Sequence, residues 1–413
     1  MGADDLLNLR RRHLFLTTIL LLLSLLTSGC WSRREIETLG FVMAIGIDKA
    51  QEDGKIQITA VIAKPFAIGG GDKGVPQESP AWIVSSTGLT AFDAVRNFAS
   101  QSPRRFFFAH NRWIVFGEEF AKDGIVPALD LWSRNGETRR TAYVAVAKGA
   151  TASDMLQTQF ELERMPSEGA RGTLLDAERA LSSVVVISLS EFVQSLESAG
   201  SSAVAGRVEM VPRPQEFDIR GEVVREKVGA SARFSGAAVF SGDRLVGWLD
   251  KSETRGMSWI HSKIKSGVIV IDNPQTPDSY VSIRISRARS QNKIAVENGR
   301  AVAHIKVEAE GDLGDTTNLI EPLQDRDLWS SMESRMAEVI RQEIRTAVSR
   351  GQELQTDYLG FGTMLYRSNP KLWEQLKDDW QDNVFPEMEL EIDVRATIRR
   401  MGLVTRSDKV TVK

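Results

Sequence analysis

The chain has 413 residues, of which 42% are hydrophobic and 26% are charged, close to an average globular protein. This composition excludes a collagen-like chain, a wholly disordered chain and a polytopic membrane protein, and the length predicts two or three domains. The formal net charge is −3, so there is no basic excess of the kind that indicates a nucleic-acid partner. The single cysteine excludes an intrachain disulfide and a zinc site built from cysteines.

The first thirty residues have the pattern of an export signal. A basic run at residues 10–13 precedes residues 14–26, of which only three are polar, and small residues then lead to Cys30. A basic start, a short apolar stretch and small residues before a cleavage site are typical of a secretory signal peptide. The alternative is a signal-anchor helix, but an apolar stretch of this length spans only roughly 20 Å of a hydrocarbon core about 30 Å thick.

Residues 26–30, with the sequence Leu-Thr-Ser-Gly-Cys, resemble a bacterial lipobox. The usual lipobox has Leu three residues before the cysteine, where this chain has Thr27. The resemblance implies that Cys30 receives a thioether-linked diacylglycerol, that residues 1–29 are removed as a lipoprotein signal peptide, and that the new amino terminus can also be acylated. The alternative interpretation is that Cys30 is an ordinary small buried residue.

Removal of residues 1–29 would leave a chain with a net charge of −4. A mildly acidic body is not drawn to anionic lipid by its overall charge. Two acyl chains, in contrast, give stable membrane binding. The sequence therefore predicts that the lipid, and not a basic patch, holds the protein at the membrane.

Residues 30–212 are predicted to form an N-terminal α+β domain. Strands are predicted where apolar residues run together or alternate, at residues 41–48, 55–63, 106–116 and 141–147. Helices are predicted at residues 90–100 and 118–132. The first of these helices rests on the helical spacing of Leu89, Phe92 and Val95, and Pro127 would kink the second.

The rest of this domain is predicted to consist of connections and one short helix. The glycine-rich residues 66–80 predict a loop, and the polar residues 161–180 predict an exposed connection. Ser188 and Glu191 have the spacing of a capping box, which predicts that a short helix begins there.

Residues 213–275 are predicted to be a middle, β-rich domain or segment. Its charged and proline-flanked beginning, residues 213–227, is typical of a domain boundary. A hairpin over residues 232–250 is predicted from Ser241-Gly242-Asp243, and a strand from the apolar residues 266–272.

Residues 276–413 are predicted to form a C-terminal α+β domain with an antiparallel sheet against long helices. Asn298-Gly299 predicts a two-residue turn that places Val296 opposite Ala301 and Ile294 opposite Ala303. Apolar residues at helical spacing predict a long helix over residues 327–351, with a coiled coil as the alternative. Strict alternation over residues 387–399 predicts a strand with one solvated face.

No catalytic, cofactor or metal site is predicted. The sequence contains no phosphate-binding loop, no Gly-x-Ser-x-Gly nucleophile elbow and no His-Glu-x-x-His motif. His110, His261 and His304 are interpreted as structural, and His304 as solvent-exposed. The acidic residues 308, 310, 312 and 315 lack the spacing of a calcium-binding EF-hand loop. Six tryptophans are interpreted as core anchors: Trp113, Trp248, Trp259, Trp329, Trp373 and Trp380.

Several blocks of sequence, taken in order, resemble one family. The start of the mature chain is Gly29-Cys30-Trp31-Ser32-Arg33-Arg34-Glu35, similar to the Gly-Cys-Trp-Asp-Arg-Arg-Glu start of that family, with Ser32 in place of Asp. Further matches are Gly46-Ile47-Asp48, Arg105 with His110, Gly117-Glu118-Glu119, Leu245-Val246-Gly247-Trp248-Leu249, Glu253-Thr254-Arg255-Gly256, Asp357, Phe361-Gly362, Pro370, Trp373, Trp380 and Phe385. These blocks resemble the Ger(x)C family of spore-germination lipoproteins, the C subunits of nutrient germinant receptors.

The resemblance implies a three-domain α+β protein, lipid-anchored on the extracytoplasmic face of the spore inner membrane. It implies assembly with an A subunit and a polytopic B subunit, through which nutrient germinants trigger germination, and it implies no enzymatic activity. Two other classes stay open: a solute-binding lipoprotein of an import system, and an anchored cell-wall hydrolase, since 55 acidic residues provide many pairs of carboxylates. The antiparallel reading of the last third argues against the two similar lobes of a solute-binding protein.

Overall fold

The protein has two large β-sheets, each packed with helices. The computed structural model describes residues 10–20, 35–65, 79–134, 137–160, 162–212, 216–217, 223–225, 230–297, 300–318 and 326–400. Residues 10–20 form a helix in which every residue is exposed. The two sheets with their helices confirm the predicted α+β class.

The first sheet is mixed and has nine strands. The first eleven strands of the chain comprise these nine and a separate pair, β8 and β9. They are β1 Leu39–Lys49, β2 Ile56–Ala63, β3 Ala81–Gly88, β4 Arg105–Phe107, β5 Trp113–Phe116, β6 Tyr143–Lys148, β7 Val204–Pro212, β8 Glu216–Phe217, β9 Val223–Arg225, β10 Ala230–Ser241 and β11 Arg244–Leu249. Their order in the sheet is β11-β10-β7-β6-β5-β1-β2-β3, with β4 beside β1, while β8 and β9 pair only with each other. The pairs from β1 through β5 and β6 to β7 are parallel, and the outer pairs are antiparallel.

Helices cover both faces of the first sheet. They are α1 Ala91–Asn97, α2 Glu118–Asp123, α3 Val126–Arg134, α4 Ala152–Leu156, α5 Pro166–Leu181 and α6 Leu189–Leu196. Because successive side chains of a strand point to opposite faces, Ile114 joins the core beneath α1, α3 and α6, whereas Trp113 and Val115 join the core beneath α4 and α5. This two-sided burial explains why the central strands are almost continuously apolar.

Three predictions in this region are corrected by the structure. Residues 166–181, predicted as an exposed connection, form α5, because Pro166 starts the helix and Ala170 and Leu174 are buried against the sheet. The predicted helix over residues 118–132 is two helices, separated at Gly124, whose φ of +123° no helix can contain. The predicted strand over residues 106–116 is interrupted by a 3-10 turn at Phe108–His110.

The hairpins and capping box follow the sequence closely. β10 and β11 turn at Gly242, with a φ of +55°, as predicted. Ser188 and Glu191 form both hydrogen bonds of the predicted capping box at the start of α6. Most of the predicted loop at residues 66–80 lies outside the described residues.

The second sheet has four strands in the order β12-β13-β14-β15. Its strands are β12 Val268–Asp272, β13 Tyr280–Glu297, β14 Arg300–Thr316 and β15 Glu389–Arg400. Val296 pairs with Ala301 and Ile294 with Ala303, so the predicted register is confirmed, although Asn298 and Gly299 themselves lie outside the described residues.

Helices cover one face of this sheet. They are α7 Lys251–Ile260, α8 Arg326–Glu353, α9 Phe361–Ser368 and α10 Pro370–Leu376. The helix α8 confirms the predicted long helix and buries Met332, Met336, Ile340 and Ile344 against the sheet rather than in a coiled coil. Residues 380–384 add a turn of π-helix before β15.

The last strand corrects the expectation of a wholly antiparallel sheet. β15 pairs with β14 in parallel, with Val302 opposite Glu389 and Ile305 opposite Ile392. The chain leaves β14 and returns through α8, and a helical crossover of this kind brings a strand back in the same direction. The alternation that predicts β15 is compatible with either direction, since it reports only which face is buried.

The two sheets share a continuous core along α7. Ala237 and Leu249 of the first sheet belong to the same buried cluster as Ile340 of α8 and Ile283 of the second sheet. Helices α7 and α8 cross closely at Gly256, where a Cβ would lie 2.1 Å from the carbonyl oxygen of Glu343. Within residues 213–275, β10 and β11 belong to the first sheet and β12 to the second, while β8 and β9 pair only with each other. The predicted domain division at residues 212 and 275 stays a prediction.

Candidate functional site

A wide groove with a volume of about 1080 Å³ lies on the first half of the molecule. We call it the arginine groove. Its lining comes from α1, α3, β4 and their connections: Thr90, Ala91, Phe92, Val95, Arg96, Phe98, Ala99, Ser102–Phe106, Phe108, Val126, Pro127, Asp130, Leu131, Arg134 and Glu137.

Local sequence signals place the two helices that form the walls. Thr90 caps α1 by accepting a hydrogen bond from the backbone N–H of Asp93 at 3.1 Å, and the Asp93 carboxylate accepts one from the N–H of Leu89 at 3.0 Å. The start of α3 is held from the β10–β11 turn, where Asp243 accepts the N–H of Val126 at 3.3 Å. Both walls are therefore fixed at their amino-terminal ends.

The floor of the groove is apolar, and its rim carries exposed apolar groups. Phe98, Phe106 and Phe108 are buried beneath it. On the rim, Phe92 and Val126 are each 53% exposed. The helix predicted from the spacing of Leu89, Phe92 and Val95 is confirmed as α1, which buries Ala91 and Ala94 and leaves Leu89 and Phe92 exposed.

Four arginines and two carboxylates line the groove. Arg105 pairs with Glu137 at 2.6 Å, and Arg134 with Asp130 at 2.8 Å. Arg96 lies over the ring of Phe92, with its guanidinium carbon 5.0 Å from the ring centroid. Within the described part of the chain, Arg96 and Arg104 have no carboxylate at ion-pair distance. The groove therefore presents a surplus of positive charge beside an apolar surface.

The chain enters the folded body next to this groove. The 3-10 turn Ile36–Thr38 leads into β1, whose first residue Leu39 pairs with Arg105 of β4. A Cβ on Gly40 would lie 3.2 Å from the Phe106 ring, which forms part of the groove.

A second cavity, of about 260 Å³, lies where the segment between α5 and β7 meets α7 and the α8–α9 connection. His261 lines it and donates its Nε2–H to the carbonyl oxygen of Leu359 at 2.9 Å. Burial lowers the pKa of His261 to about 4, outweighing that hydrogen bond. The folded protein therefore keeps this imidazole neutral at pH values where an unfolded chain would protonate it.

We predict that this histidine makes the protein less stable as the pH falls from 6.5 towards 4. The folded pKa lies below the unfolded value, so the stabilisation is complete above pH 6.5 and is lost on acidification, by about 1 to 2 kcal/mol between pH 7 and pH 5. Denaturant titrations at the two pH values measure this. His261→Gln should reduce the loss by that amount; equal pH dependence in wild type and His261→Gln would contradict the prediction.

The predicted acylation site, Cys30, lies outside the described residues. Two other histidines contribute to packing or surface pairing: His110 packs edge-on against the ring of Phe41 and at a tilt against that of Phe107, and His304 lies between Glu297 and Glu391 at 3.1 and 2.9 Å. Within the described ranges, no group of three or more His, Cys, Asp or Glu side chains is placed to hold a metal ion. In the same residues no helix is long and apolar enough to cross a membrane.

The acidic cluster of the second sheet faces arginines. Glu310 pairs with Arg399 at 2.9 Å, and Asp312 with Arg284 at 3.5 Å, both across neighbouring strands. Such cross-strand pairs account for the acidic residues as the solvated side of the sheet. The tryptophans are core anchors as predicted, with four of them buried: Trp113, Trp259, Trp373 and Trp380.

The sequence blocks that resemble the Ger(x)C family occupy structural junctions. Asp48 accepts the N–H groups of Ala152 and Ser153 at 2.7 and 2.9 Å, which ties β1 to the start of α4, and burial raises its pKa. Arg255 and Glu343 join α7 to α8.

Asp357 is the third such junction. It is fully buried and accepts hydrogen bonds from two backbone N–H groups and the indole of Trp380. Its pKa is raised by burial, against the opposing effect of those hydrogen bonds. Asp48, Arg255 and Asp357 hold the fold together and do not line the arginine groove, whereas Arg105, which also belongs to the matched blocks, does.

The arginine groove was not predicted from the sequence. Its residues come from four separate segments between positions 90 and 137, and no spacing rule connects them. Two local features of the sequence could have indicated the groove. Two adjacent arginines, at 104 and 105, directly precede three phenylalanines, and the helix α1 contains both large apolar residues and alanines, either of which could form its buried face.

Comparison with known proteins assigns the class of the chain. A family model described as spore germination protein N-terminal domain matches residues 32–210, and one described as spore germination B3/GerAC like, C-terminal, matches residues 235–402. Together they leave out only the two ends and a short internal stretch. The protein therefore belongs to the GerAC-like family of spore germination proteins, the Ger(x)C family that the sequence motifs indicate.

Relatives in Bacillus subtilis (strain 168) match along nearly their whole length. Spore germination protein KC is 28% identical over 95% of this chain and 97% of its own, and spore germination protein YndF is 26% identical over 95% and 98%. Spore germination protein B3 is 23% identical over 94% and 98%. The crystal structure of the GerBC protein has the same fold, with a TM-score of 0.53 and 20% identity over 88% of this chain and 99% of that chain.

Proposed function

We propose that this protein is the lipid-anchored, non-enzymatic C subunit of a spore nutrient germinant receptor. In this proposal Cys30 carries the lipid on the extracytoplasmic face of the membrane, and the body assembles with membrane-embedded A and B subunits. The observation that carries it is that both domain models of the spore germination family match this one chain in order, from residue 32 to residue 402. Relatives named spore germination protein B3 and A3 support the same process.

The body suits a role in assembly. Its buried polar groups, such as Asp48, Glu343 and Asp357, are engaged in holding helices and strands in place. What remains available at the surface is a large groove with mixed apolar and basic character, which is a form suited to binding rather than to bond cleavage. The division into residues 30–212, 213–275 and 276–413 is part of the proposal, as three units that could meet different partners.

The proposal is tested on one affinity-tagged copy expressed in the spore-forming host. We predict that the wild-type chain fractionates with membranes, has a mass that includes a diacylglycerol on Cys30, lacks residues 1–29 and co-purifies with A and B subunits. Cys30→Ala should leave an unacylated chain that is either soluble or an uncleaved precursor, because alanine offers no sulfur for the thioether. Ser32→Ala, two residues further on, is the matched control and should behave as wild type.

Two outcomes would overturn the parts of the proposal separately. A Cys30→Ala chain of mature size that remains in the membrane fraction would contradict acylation. A correctly acylated wild-type chain that co-purifies with no A or B subunit would contradict the assignment as a receptor subunit, but not the proposal that Cys30 is acylated.

A further inference from the structure

We propose that the arginine groove docks on the anionic phospholipid surface of the membrane that carries the anchor. The inference rests on the proposed acylation of Cys30 for its geometry, and on the residues of the groove for its chemistry. It would give the body two attachments, a covalent one through lipid and a second through α1, α3 and β4. The two attachments would then fix the orientation of the body relative to the membrane, which a single lipid anchor would not.

The length of the tether places the groove at the membrane. Six residue steps separate Cys30 from Ile36, which begins the first turn of the body. A chain spans at most about 3.5 Å per residue, so Ile36 lies within roughly 21 Å of the acylated sulfur. A globular body of this size has a radius of gyration of about 21 Å, so the tether is too short for the far side of the protein to reach the lipid.

The groove lies directly beside that attachment point. Leu39, three residues after Ile36, is paired with Arg105, and Arg105 lines the groove. The side chain of Ile36 is itself 71% exposed at this end of the molecule. The surface that a short tether brings to the bilayer is therefore the one that contains the groove.

The charge of this surface is opposite to that of the whole chain. Four arginines and two carboxylates line the groove. The prediction that the lipid, and not a basic patch, holds the protein at the membrane rests on the overall charge, which does not report a local surplus of this kind. Basic residues next to an anionic leaflet attract it, and because the attraction acts only within about a Debye length it requires the groove to lie against the bilayer, which a tether this short permits.

The apolar groups of the rim fit the interfacial region of a bilayer. On the rim, Phe92 and Val126 are each 53% exposed, and Leu89, the neighbour in sequence of the groove residue Thr90, is 70% exposed, although large apolar side chains are usually buried. An arginine over an aromatic ring, as in Arg96 over Phe92, presents an apolar face with a cationic head. A surface of this type inserts its apolar groups at the headgroup level while its arginines contact phosphates.

Vesicle flotation of an unacylated mature chain tests the inference. The chain is residues 30–413 with Cys30→Ser; residues 10–20 are wholly exposed in the structure, so the body does not need them for packing. We expect this chain to float with vesicles rich in phosphatidylglycerol at low salt and to bind them less at high salt. It should not bind phosphatidylcholine vesicles. Arg96→Gln with Arg104→Gln should weaken partitioning about fivefold for each arginine removed.

A control variant separates docking from nonspecific charge attraction. Arg289→Gln with Arg395→Gln removes two exposed arginines of the second sheet and changes the net charge equally. It should bind as wild type, and thermal melting should show both variants folded. Phe92→Ser should also weaken partitioning without changing the charge.

Three results would overturn the inference: no flotation of the folded wild-type chain with anionic vesicles, equal losses in the groove and control variants, or loss of a membrane subunit from the groove variant with unchanged flotation. The last would assign the groove to a protein partner. Since the floated chain carries no lipid, the two flotation results are independent of whether Cys30 is acylated in the host, and the third result is obtained by purifying the tagged groove variant from the host. Failure of either proposal can therefore be recognised by itself.

Discussion

Replacing Glu343 by alanine is expected to lower the free energy of unfolding by about 3 to 5 kcal/mol. Glu343 lies in the middle of α8 and is only 5% exposed. Its two carboxylate oxygens accept hydrogen bonds from Nε and Nη2 of Arg255, with the Nε distances at 3.0 and 2.9 Å, and from the indole of Trp259 at 2.9 Å. Removal of the carboxylate leaves a poorly solvated guanidinium and a buried indole N–H without their acceptor.

The loss should be specific to this position on α8. Glu338 lies on the same helix and pairs with Arg341, but its side chain is 59% exposed, so Glu338→Ala should cost less than about 1 kcal/mol. Urea or guanidinium unfolding of the three proteins measures the difference. If Glu343→Ala were as stable as Glu338→Ala, the junction between α7 and α8 would not depend on this network.

The junction also shows which links between sequence and structure can be read in advance. Asp250 and Glu253 form a capping box that starts α7, and the turn at Gly242 sets the preceding hairpin. Both are local signals that act within four residues of the chain. The pairing of Arg255 with Glu343, which are 88 residues apart, cannot be predicted from the spacing of residues in the sequence.

The register of the β13–β14 hairpin and the direction of β15 make the same point. A two-residue turn and the alternation of buried side chains fix the register of a hairpin, and the pairing of Ile294 with Ala303 agrees with it. The direction of β15 depends instead on the path through α8, and alternation carries no information about direction. Local signals therefore predicted elements and hairpins, while the sheet partners at longer range had to come from the structure.

The polar composition of α5 explains the largest error in the secondary structure. Two glycines and several charged residues make residues 161–180 resemble a connection, yet Gly169 is required because a Cβ there would lie 2.4 Å from the ring of Phe160. The buried face of α5 is narrow, with Ala170 and Leu174 as its main apolar contacts. A helix with so small an apolar face is stabilised by tertiary packing, which a propensity argument does not include.

The arginine groove could not be predicted for a related reason. The alternation of apolar residues in a strand and their spacing in a helix indicate which side chains of that element are buried. A groove is instead defined by the space between elements, here α1, α3 and β4, which neither pattern describes. Its character also depends on an apparent violation of pattern, the exposure of Phe92 on a helix that buries alanines. The departure from expected burial is the feature that points to a binding surface.

Replacing Asp357 by alanine is expected to cost about 3 kcal/mol or more. The carboxylate accepts the N–H groups of Phe361 and Gly362 at 3.1 and 2.8 Å and the indole N–H of Trp380 at 2.9 Å. Each buried donor left without an acceptor costs about 1 to 3 kcal/mol, and part of this is offset because a buried carboxylate is itself costly. Asp378→Ala, an exposed acid in the turn before Trp380, should change stability by less than about 0.5 kcal/mol.

The position of Asp357 between the two halves of the molecule gives this prediction a second readout. Its carbonyl oxygen accepts the N–H of Ser202, just before β7 of the first sheet, while its carboxylate caps the start of α9. Hydrogen exchange should therefore accelerate most in α9 and around Ser202, and least in the central strands β5 and β6. Uniform acceleration throughout the chain would mean that the carboxylate supports the whole fold equally, whereas unchanged exchange in α9 would show that it caps nothing.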